Sequence, residues 1–202
     1  MALCEYLLNG NIDNSCDIIG GLREIGYIAN KSDITGYTES SNTISALTFD
    51  TGKLMYKIYT PTKTPFTGSN TALEESDIVN RFTNTVSFVI LENDATTAGI
   101  IEKLANGKFV VVLHNEYEGT SGASAYSVYG IERGLRATEI TRDPYADETA
   151  GGWQVTMTET GAAKSEHFFY VTSLANTTST LEGYCTPVVP NPNDGDNNGD
   201  VA

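Results

Sequence analysis

The chain has 202 residues, of which 40% are hydrophobic and 19% are charged, and its formal net charge is −14. This length and composition predict one globular domain with an ample core, with or without a tail. A surface this acidic repels DNA, RNA and anionic membranes, which excludes groove-reading and lipid-binding functions. Repulsion suits a different role, a passage through which DNA slides without being held.

The chain shows no apolar run near the roughly 18–20 residues that a membrane-spanning helix needs. Its first residues, MALCEYLLNGN, lack the basic start and the apolar length of a signal peptide, so we expect no membrane anchor. The three cysteines, Cys4, Cys16 and Cys185, have no metal-binding spacing. A Cys4–Cys16 disulfide is one alternative, and reduced thiols in a protein made in the cytoplasm are the favoured one.

The first predicted strand covers residues 22–29, after a glycine pair. Residues 43–61 predict two strands around the turn signal Asp50-Thr51-Gly52. Residues 60–72, TPTKTPFTGSNTA, contain two prolines, a glycine and many threonines. They predict an exposed loop, long enough to dock on a partner.

Residues 81–94 alternate between apolar and polar side chains and predict a strand with Phe82, Asn84, Val86, Phe88 and Ile90 on one side. Asn93 or Asp94 is then placed to cap a helix over residues 95–106, with Ile100, Ile101 and Leu104 as its apolar stripe and Asn106-Gly107 as a left-handed stop. Residues 108–116, KFVVVLHNE, are apolar on both faces, which predicts a central, covered strand.

Four more strands are predicted, over residues 125–132, 135–142, 152–160 and 166–171. The pattern indicates a mainly β fold, an antiparallel β-sandwich or half-open barrel with one flanking α-helix. We predict a single domain over residues 1–186, which includes an N-terminal leader. Residues 187–202 consist of proline, asparagine, aspartate and glycine with almost no apolar side chains, so they predict a flexible acidic tail.

The tail contains DGDNNGD, in which Asp194, Asp196, Asn198 and Gly199 match the first ligand positions of an EF-hand calcium loop. The bidentate acidic ligand would fall at position 205, beyond the 202 residues. We therefore predict no metal site.

Candidates for catalysis are sparse. His114 ends an apolar strand, and His167 precedes an aromatic run. Histidines in such positions are more often hydrogen-bonded structural residues than general bases. The segment GTSGAS, residues 119–124, lacks the strand-to-helix elbow of a serine nucleophile and predicts a hairpin loop. Glu116 and Glu118 favour a solvated surface over a glycosidase pair. We expect no catalytic, cofactor-binding or metal-binding residues, and no enzymatic activity.

Residues 129–161 hold most of the chain's remaining candidates for chemistry, a group of acidic and arginine side chains with the only tryptophan, Trp153. Alternation along residues 135–142 places Arg136 and Arg142 on one face and Glu139 on the other, so these charges do not converge as a catalytic set must. The stretch predicts a hairpin near the end of a sheet. We expect Trp153 to face the core, and residues 143–148 to be available to a neighbouring subunit.

Three segments together resemble the tail tube and tail ring proteins of tailed phages that infect gut Bacteroidetes, including crAss-like phages. The middle segment is residues 86–117, and the last is residues 128–160. In the last segment the matching residues are Tyr129, Gly130, Gly134, Leu135, Trp153, Val155, Thr156, Met157 and Thr158. The matching residues near the start are Gly20, Gly21, Ile25, Tyr27, Ala29, Asn30, Asp33 and Tyr37. The likeness covers residues 16–172.

The resemblance implies a virion structural protein, a ring-forming tail tube or tail-barrel subunit that lines a DNA ejection channel. Its partners would be further copies of itself and adjacent tail or head–tail connector proteins, with DNA passing through without specific binding. Its location would be the virion tail, assembled in the host cytoplasm. The alternative is a surface adhesin or carbohydrate-binding β-sandwich module, which the 11 tyrosines and the calcium-like tail support.

Overall fold

The computed structural model describes residues 19–61 and 63–187. Residues 1–18, with Cys4 and Cys16, and residues 188–202, with the calcium-like motif, lie outside the described part, so the predictions for the leader and tail stay predictions. The strands are β1 (Leu22–Asn30), β2 (Ile34–Ser40), β3 (Thr43–Phe49), β4 (Tyr56–Tyr59), β5 (Phe66–Glu74), β6 (Arg81–Ile90), β7 (Phe109–Asn115), β8 (Tyr126–Tyr129), β9 (Arg136–Arg142), β10 (Trp153–Ala162) and β11 (His167–Phe169). The helices are α1 (Ala95–Asn106) and α2 (Leu174–Tyr184).

The strands form two sheets. The large sheet has the order β2-β3-β11-β8-β7-β1-β4, and the small sheet has the order β5-β6-β10-β9. Neighbouring strands run antiparallel, apart from β3 and β11, which are parallel. The apolar run of β7 lies inside the large sheet with Phe109 to His114 buried, so the predicted central strand is confirmed.

One core lies between the two sheets. Alternation along β1 sends Ile28 toward the small sheet, where it packs in one cluster with Val111 and Leu113 of β7. The small sheet contributes Val86, Phe88, Val155 and Met157 to the same cluster. The predicted mainly β sandwich is therefore confirmed, and α1 is the predicted helix that flanks it.

A second core lies on the opposite face of the large sheet. Tyr27 points there and packs in one cluster with Leu181 of α2, which is fully buried. The Tyr27 hydroxyl donates to Glu182 Oε1 at 2.8 Å, and Lys57 forms an ion pair with the same carboxylate. Together these contacts fix α2, a helix that the sequence analysis did not predict, against the sheet.

Helix α1 has the predicted bounds and the predicted cap, because the Asp94 side chain accepts from the Thr97 backbone N–H at 2.7 Å. Its apolar stripe is only partly as predicted, since Ile101 and Leu104 are buried but Ile100 is 44% exposed. The predicted left-handed stop is wrong, because Gly107 has φ −89°. Glycine is needed there for space: a Cβ would lie 2.2 Å from the Phe109 ring.

For residues 43–72, the two predicted strands are present and the predicted loop is partly wrong. The turn at Gly52 lies between the strands, with φ +72°, and the two strands pair with other strands instead of with each other. Strand β3 pairs with β2 and β11, whereas β4 pairs with β1. Between β3 and β4, the backbone N–H of buried Met55 donates to the carbonyl of Tyr184, the last residue of α2, at 3.0 Å. Residues 66–72, predicted as loop, belong to β5, where pairing with β6 outweighs the polar composition.

Candidate functional site

The two histidines are buried. The ring of His114 stacks on Tyr126 with the centroids 4.4 Å apart. Burial, assisted by the charge of Arg23, lowers the pKa of His114, and burial likewise lowers the pKa of His167. His167 Nε2 lies 3.4 Å from Glu39 Oε1 without hydrogen-bond geometry. Among the described residues, neither ring hydrogen-bonds to a hydroxyl or thiol nucleophile.

The other sequence candidates occupy the connection between β7 and β8. Residues 119–124 lie in the loop of this antiparallel hairpin, as predicted. Arg23 pairs with both neighbouring carboxylates, at 3.5 Å from Glu116 Oε2 and at 2.8 Å from Glu118 Oε1. Within residues 19–61 and 63–187, no group of three or more His, Cys, Asp or Glu side chains is placed to hold a metal ion. In the same part of the chain, no helix combines the length and apolar character needed to cross a membrane.

Within the predicted stretch of residues 129–161, β9 and β10 form the expected hairpin at one end of the small sheet, whereas Tyr129 ends β8 of the large sheet. Trp153 packs against the core as expected. The predicted faces of β9 are wrong, because a register shift interrupts the pairing. Ala137 lies opposite Met157 and Ile140 lies opposite Val155, so both point inward. As a result, Glu139 points outward with Arg136, while Arg142 turns inward.

Glu159 is a buried carboxylate, 2% exposed, that the sequence analysis missed. Its oxygens accept from the backbone N–H groups of Arg133 at 2.7 Å and Gly130 at 3.1 Å, and from Asn84 Nδ2 at 3.2 Å. These bonds fix the turn between β8 and β9, so the role of Glu159 is structural. Its position was readable from alternation, since it shares the inward side with Val155 and Met157.

The outward face of the small sheet carries rows of hydroxyl groups. Thr85 and Thr158 are 3.4 Å apart across the strands, Ser87 and Thr156 are 3.1 Å apart, and Thr138 lies 3.2 Å from Thr158. These side chains are half-buried or exposed. The face is therefore polar but largely uncharged along the centre of the sheet.

The small sheet ends in two strands, β5 and β9, that each have only one partner strand in the described part of the chain. Their charges are distributed unevenly along their lengths. Exposed Lys63 precedes β5, and acidic residues mark its other end, at Glu74, Glu75 and Asp77. Strand β9 has Arg133 and Arg136 at its start, and its last residue, Arg142, is followed by the acidic loop that holds Asp143, Asp147 and Glu148.

An open cleft of about 800 Å³ runs along β5. Residues 66–71 of β5 form one wall, and residues 19–22 line the cleft as well. The Tyr129 hydroxyl, which donates to Glu166 Oε1 at 2.9 Å, and Phe168 complete the lining beside several serine, threonine and asparagine side chains.

Comparison of the chain with protein-family models, curated proteins and solved structures found no match. The function is therefore inferred from the surfaces themselves. Two features stand out: the two end strands of the small sheet, β5 and β9, the second of which also lies against α1, and the cleft that borders β5.

Proposed function

We propose that the chain is a virion structural protein of a tailed phage, a tail tube or tail-barrel subunit that closes into a ring around a DNA channel. The observation that carries this proposal is the complementary charge of the two end strands of the small sheet, β5 and β9. Supporting it is the resemblance of residues 16–172 to phage tail tube and tail ring proteins.

The strand directions determine how two copies would join. Along the order β5-β6-β10-β9 each pairing is antiparallel, so β5 and β9 of one copy run in opposite directions. Rotation about an axis roughly along the strands keeps these directions, so β5 of one copy would meet β9 of the next antiparallel. This contact joins two different patches, and such a heterologous contact generates a ring when the rotation closes.

The charges match in this orientation. The acidic end of β5, at Glu74 and Glu75, would face Arg133 and Arg136 at the start of the neighbouring β9. At the opposite end, Lys63 would face the acidic loop of residues 143–148. If β5 and β9 of neighbouring copies met in parallel, the acidic end of β5 would instead lie beside the acidic loop of the next copy. Like-charge repulsion disfavours that arrangement.

The channel wall in this proposal is the outward face of the small sheet, which would continue from copy to copy. Threonine and serine hydroxyls line the centre of this face, and Arg136 points outward only near its β9 edge. The net charge of −14 repels DNA. Adjacent tail or head–tail connector rings would contact the ring at the ends of the strands. The location is the virion tail, after assembly in the host cytoplasm.

The test is the assembly state of the purified chain, followed by light scattering after size exclusion and by negative-stain imaging. We expect rings or stacked tubes. Arg136→Glu should abolish them, and adding Glu75→Arg should restore them, whereas Lys53→Glu, the same charge change at an exposed turn, should have no effect. A chain that stays monomeric at high concentration and binds neutral glycans would replace this proposal with the carbohydrate-binding module.

A further inference from the structure

The connection between β9 and β10 holds one aromatic side chain in a fixed position. Tyr145 is 92% exposed. It belongs to a turn in which the Asp143 carbonyl accepts from the Ala146 N–H at 3.1 Å and the Asp143 carboxylate accepts from the Tyr145 N–H at 2.9 Å. Aspartate in first place and proline in second, here Asp143 and Pro144, favour such a turn. The Gly151 N–H donates to the Ala146 carbonyl at 3.1 Å and closes the loop behind the turn.

An aromatic side chain on an ordered turn suits a binding contact. Single exposed apolar side chains are common on protein surfaces, so exposure alone indicates nothing. The turn adds order: the backbone that carries Tyr145 loses little freedom when the ring is bound, which lowers the entropic cost of binding. Tyrosine is also among the residues that contribute most to protein–protein contacts. Tyr145 therefore has the properties of an anchor residue.

One end of the cleft beside β5 offers a matching surface. The chain just before β5 lies against β1 there, with Thr64 Oγ1 donating to the Arg23 carbonyl at 3.0 Å. Half-buried Leu22 and Tyr117, which is 38% exposed, line this end. Residues 20–21 beside them are glycines, so a ring can approach their backbone closely. This end of the cleft can therefore hold an aromatic side chain.

The charges around this end suit an acidic loop. Glu116 and Glu118 flank Tyr117, and both are paired with Arg23. Exposed Lys63 precedes the start of β5 and is left to attract a carboxylate. The loop that carries Tyr145 is acidic on both sides of the ring.

The proposed contact between copies brings Tyr145 to this end of the cleft. With Arg136 opposite Glu74, antiparallel pairing of β9 with the neighbouring β5 places Tyr145 beside residues 64–66. The cleft of the same chain is out of reach, because β6 and β10 separate its own β9 from its own β5 by about 14 Å. The occupant is therefore a second copy.

We infer that Tyr145 of one copy inserts its ring into the cleft beside β5 of the next copy, against Leu22 and Tyr117. The inference rests on the proposed function for the direction of strand pairing, and it adds the side chain that fixes the register of that pairing. Each copy offers one such ring after β9 and one such cleft beside β5, so the contact repeats in the same sense from copy to copy.

Photo-crosslinking tests the inference directly. The full chain is made with benzoylphenylalanine in place of Tyr145, half of it labelled with a heavy nitrogen isotope, and the mixture is irradiated. Mass spectrometry should find crosslinks between copies to residues 19–22, residues 64–66 or Tyr117. The control carries the same group in place of Tyr37, which is 40% exposed on β2 of the large sheet, and should label none of these residues. Crosslinks confined to one chain, crosslinks to other residues, or none at all would overturn the inference.

Removal of the ring measures its contribution. Tyr145→Ala should weaken the contact between copies about thirtyfold, the loss expected for an anchoring aromatic residue, in sedimentation at several concentrations. It should leave the melting temperature unchanged, because the side chain is exposed in the single copy. Tyr145→Phe keeps the ring and should assemble nearly as the wild type does. The matched control, Tyr56→Ala, removes a tyrosine that is 58% exposed on β4 of the large sheet and should not change assembly.

The outcomes separate this inference from the proposed ring. Crosslinks between copies at the expected residues, without rings in negative-stain images, would reject the ring and leave the contact standing. Rings that form with Tyr145→Ala as readily as with the wild type would reject the contact and leave the ring standing. A chain that gives neither crosslinks nor rings would reject both.

Discussion

The guanidinium of Arg142 lies over the ring of Trp153, with Cζ 5.9 Å from the ring centroid. The two residues are direct cross-strand partners in β9 and β10. Simple alternation from Leu135 places Arg142 with Arg136 on the outward face, but the register shift near residue 139 moves it to the side of the core. A charged residue at the strand end thus covers the one tryptophan.

This relationship predicts different effects for two arginines of the same strand. Arg142→Ala should lower the free energy of unfolding by about 0.5–1 kcal/mol, because it removes the cation–π contact and the cover over the ring. Arg136→Ala, on the outward face, should change it by less than about 0.5 kcal/mol. Urea unfolding monitored by Trp153 emission measures both, and the native emission maximum should shift only in the first variant. Equal losses of unfolding free energy in the two variants would contradict the register shift that places Arg142 on the side of the core.

The buried carboxylate of Glu159 gives a stronger prediction. Glu159→Ala leaves the backbone N–H groups of Gly130 and Arg133 without their acceptor, so it should cost about 2–4 kcal/mol of unfolding free energy. Glu132 is the matched control, because its carboxylate accepts from the exposed Ala163 N–H. Glu132→Ala should cost less than about 1 kcal/mol, since water replaces the lost acceptor. Chemical unfolding compares the two, and a loss below 1 kcal/mol for Glu159→Ala would contradict its structural role.

The same turn contains a glycine that nothing larger can replace. Gly130 has φ +83°, and a Cβ there would lie 2.4 Å from the Phe109 carbonyl oxygen. Gly130→Ala should therefore destabilise the fold by more than about 3 kcal/mol, through strain and overlap with backbone. Gly52 has φ +72° with open space around it, so Gly52→Ala should cost only about 1 kcal/mol of conformational strain. Thermal unfolding would separate these outcomes, and similar losses would show that the overlap relaxes.

The elements that could be predicted from sequence are those whose own side chains form the core. Strand β7 and helix α1 carry apolar residues in clear patterns, and both were predicted with nearly correct bounds. Strand β5 was not, because its outer side is exposed and its register comes from β6 rather than from its own composition. A strand that forms because it pairs with a neighbouring strand has no pattern of its own by which the sequence predicts it.

Helix α2 escaped prediction for a related reason. Its sequence, LANTTSTLEGY, buries only Thr177 and Leu181, and threonine has low helix propensity. The helix is held by its Ser173 cap and by Tyr27 and Lys57, which bind Glu182 from distant strands.

For the candidate site, the charges near the strand ends could be read from the sequence. Which strands lie at the edges of a sheet could not, because this depends on long-range strand pairing that only the fold defines.

The two histidines make stability depend on pH in a defined window. Burial lowers the pKa of both below the ordinary value of 6.5, so the unfolded chain binds protons more readily than the folded chain. Their contribution is complete above about pH 6.5 and is lost as the pH falls through the folded-state pKa. The melting temperature should therefore fall between pH 7.5 and 5.5, and it should fall less in His114→Phe with His167→Phe. An identical pH dependence in both proteins would contradict the burial of neutral imidazoles.

The loop between β9 and β10 should matter for assembly and not for folding. Asp147 and Glu148 are exposed, and in the proposed ring they face Lys63 of the next copy. Asp147→Asn with Glu148→Gln should leave the unfolding free energy within about 0.5 kcal/mol of the wild type. Loss of the exposed pairing, worth about 1 kcal/mol, should weaken the contact between copies about fivefold. Sedimentation at several concentrations measures this shift. Glu24→Gln with Glu92→Gln, which neutralises two exposed carboxylates outside residues 143–148, is the matched control and should assemble as the wild type does. Unchanged assembly of the loop variant would remove residues 143–148 from the contact, and a large loss of stability would make their role structural.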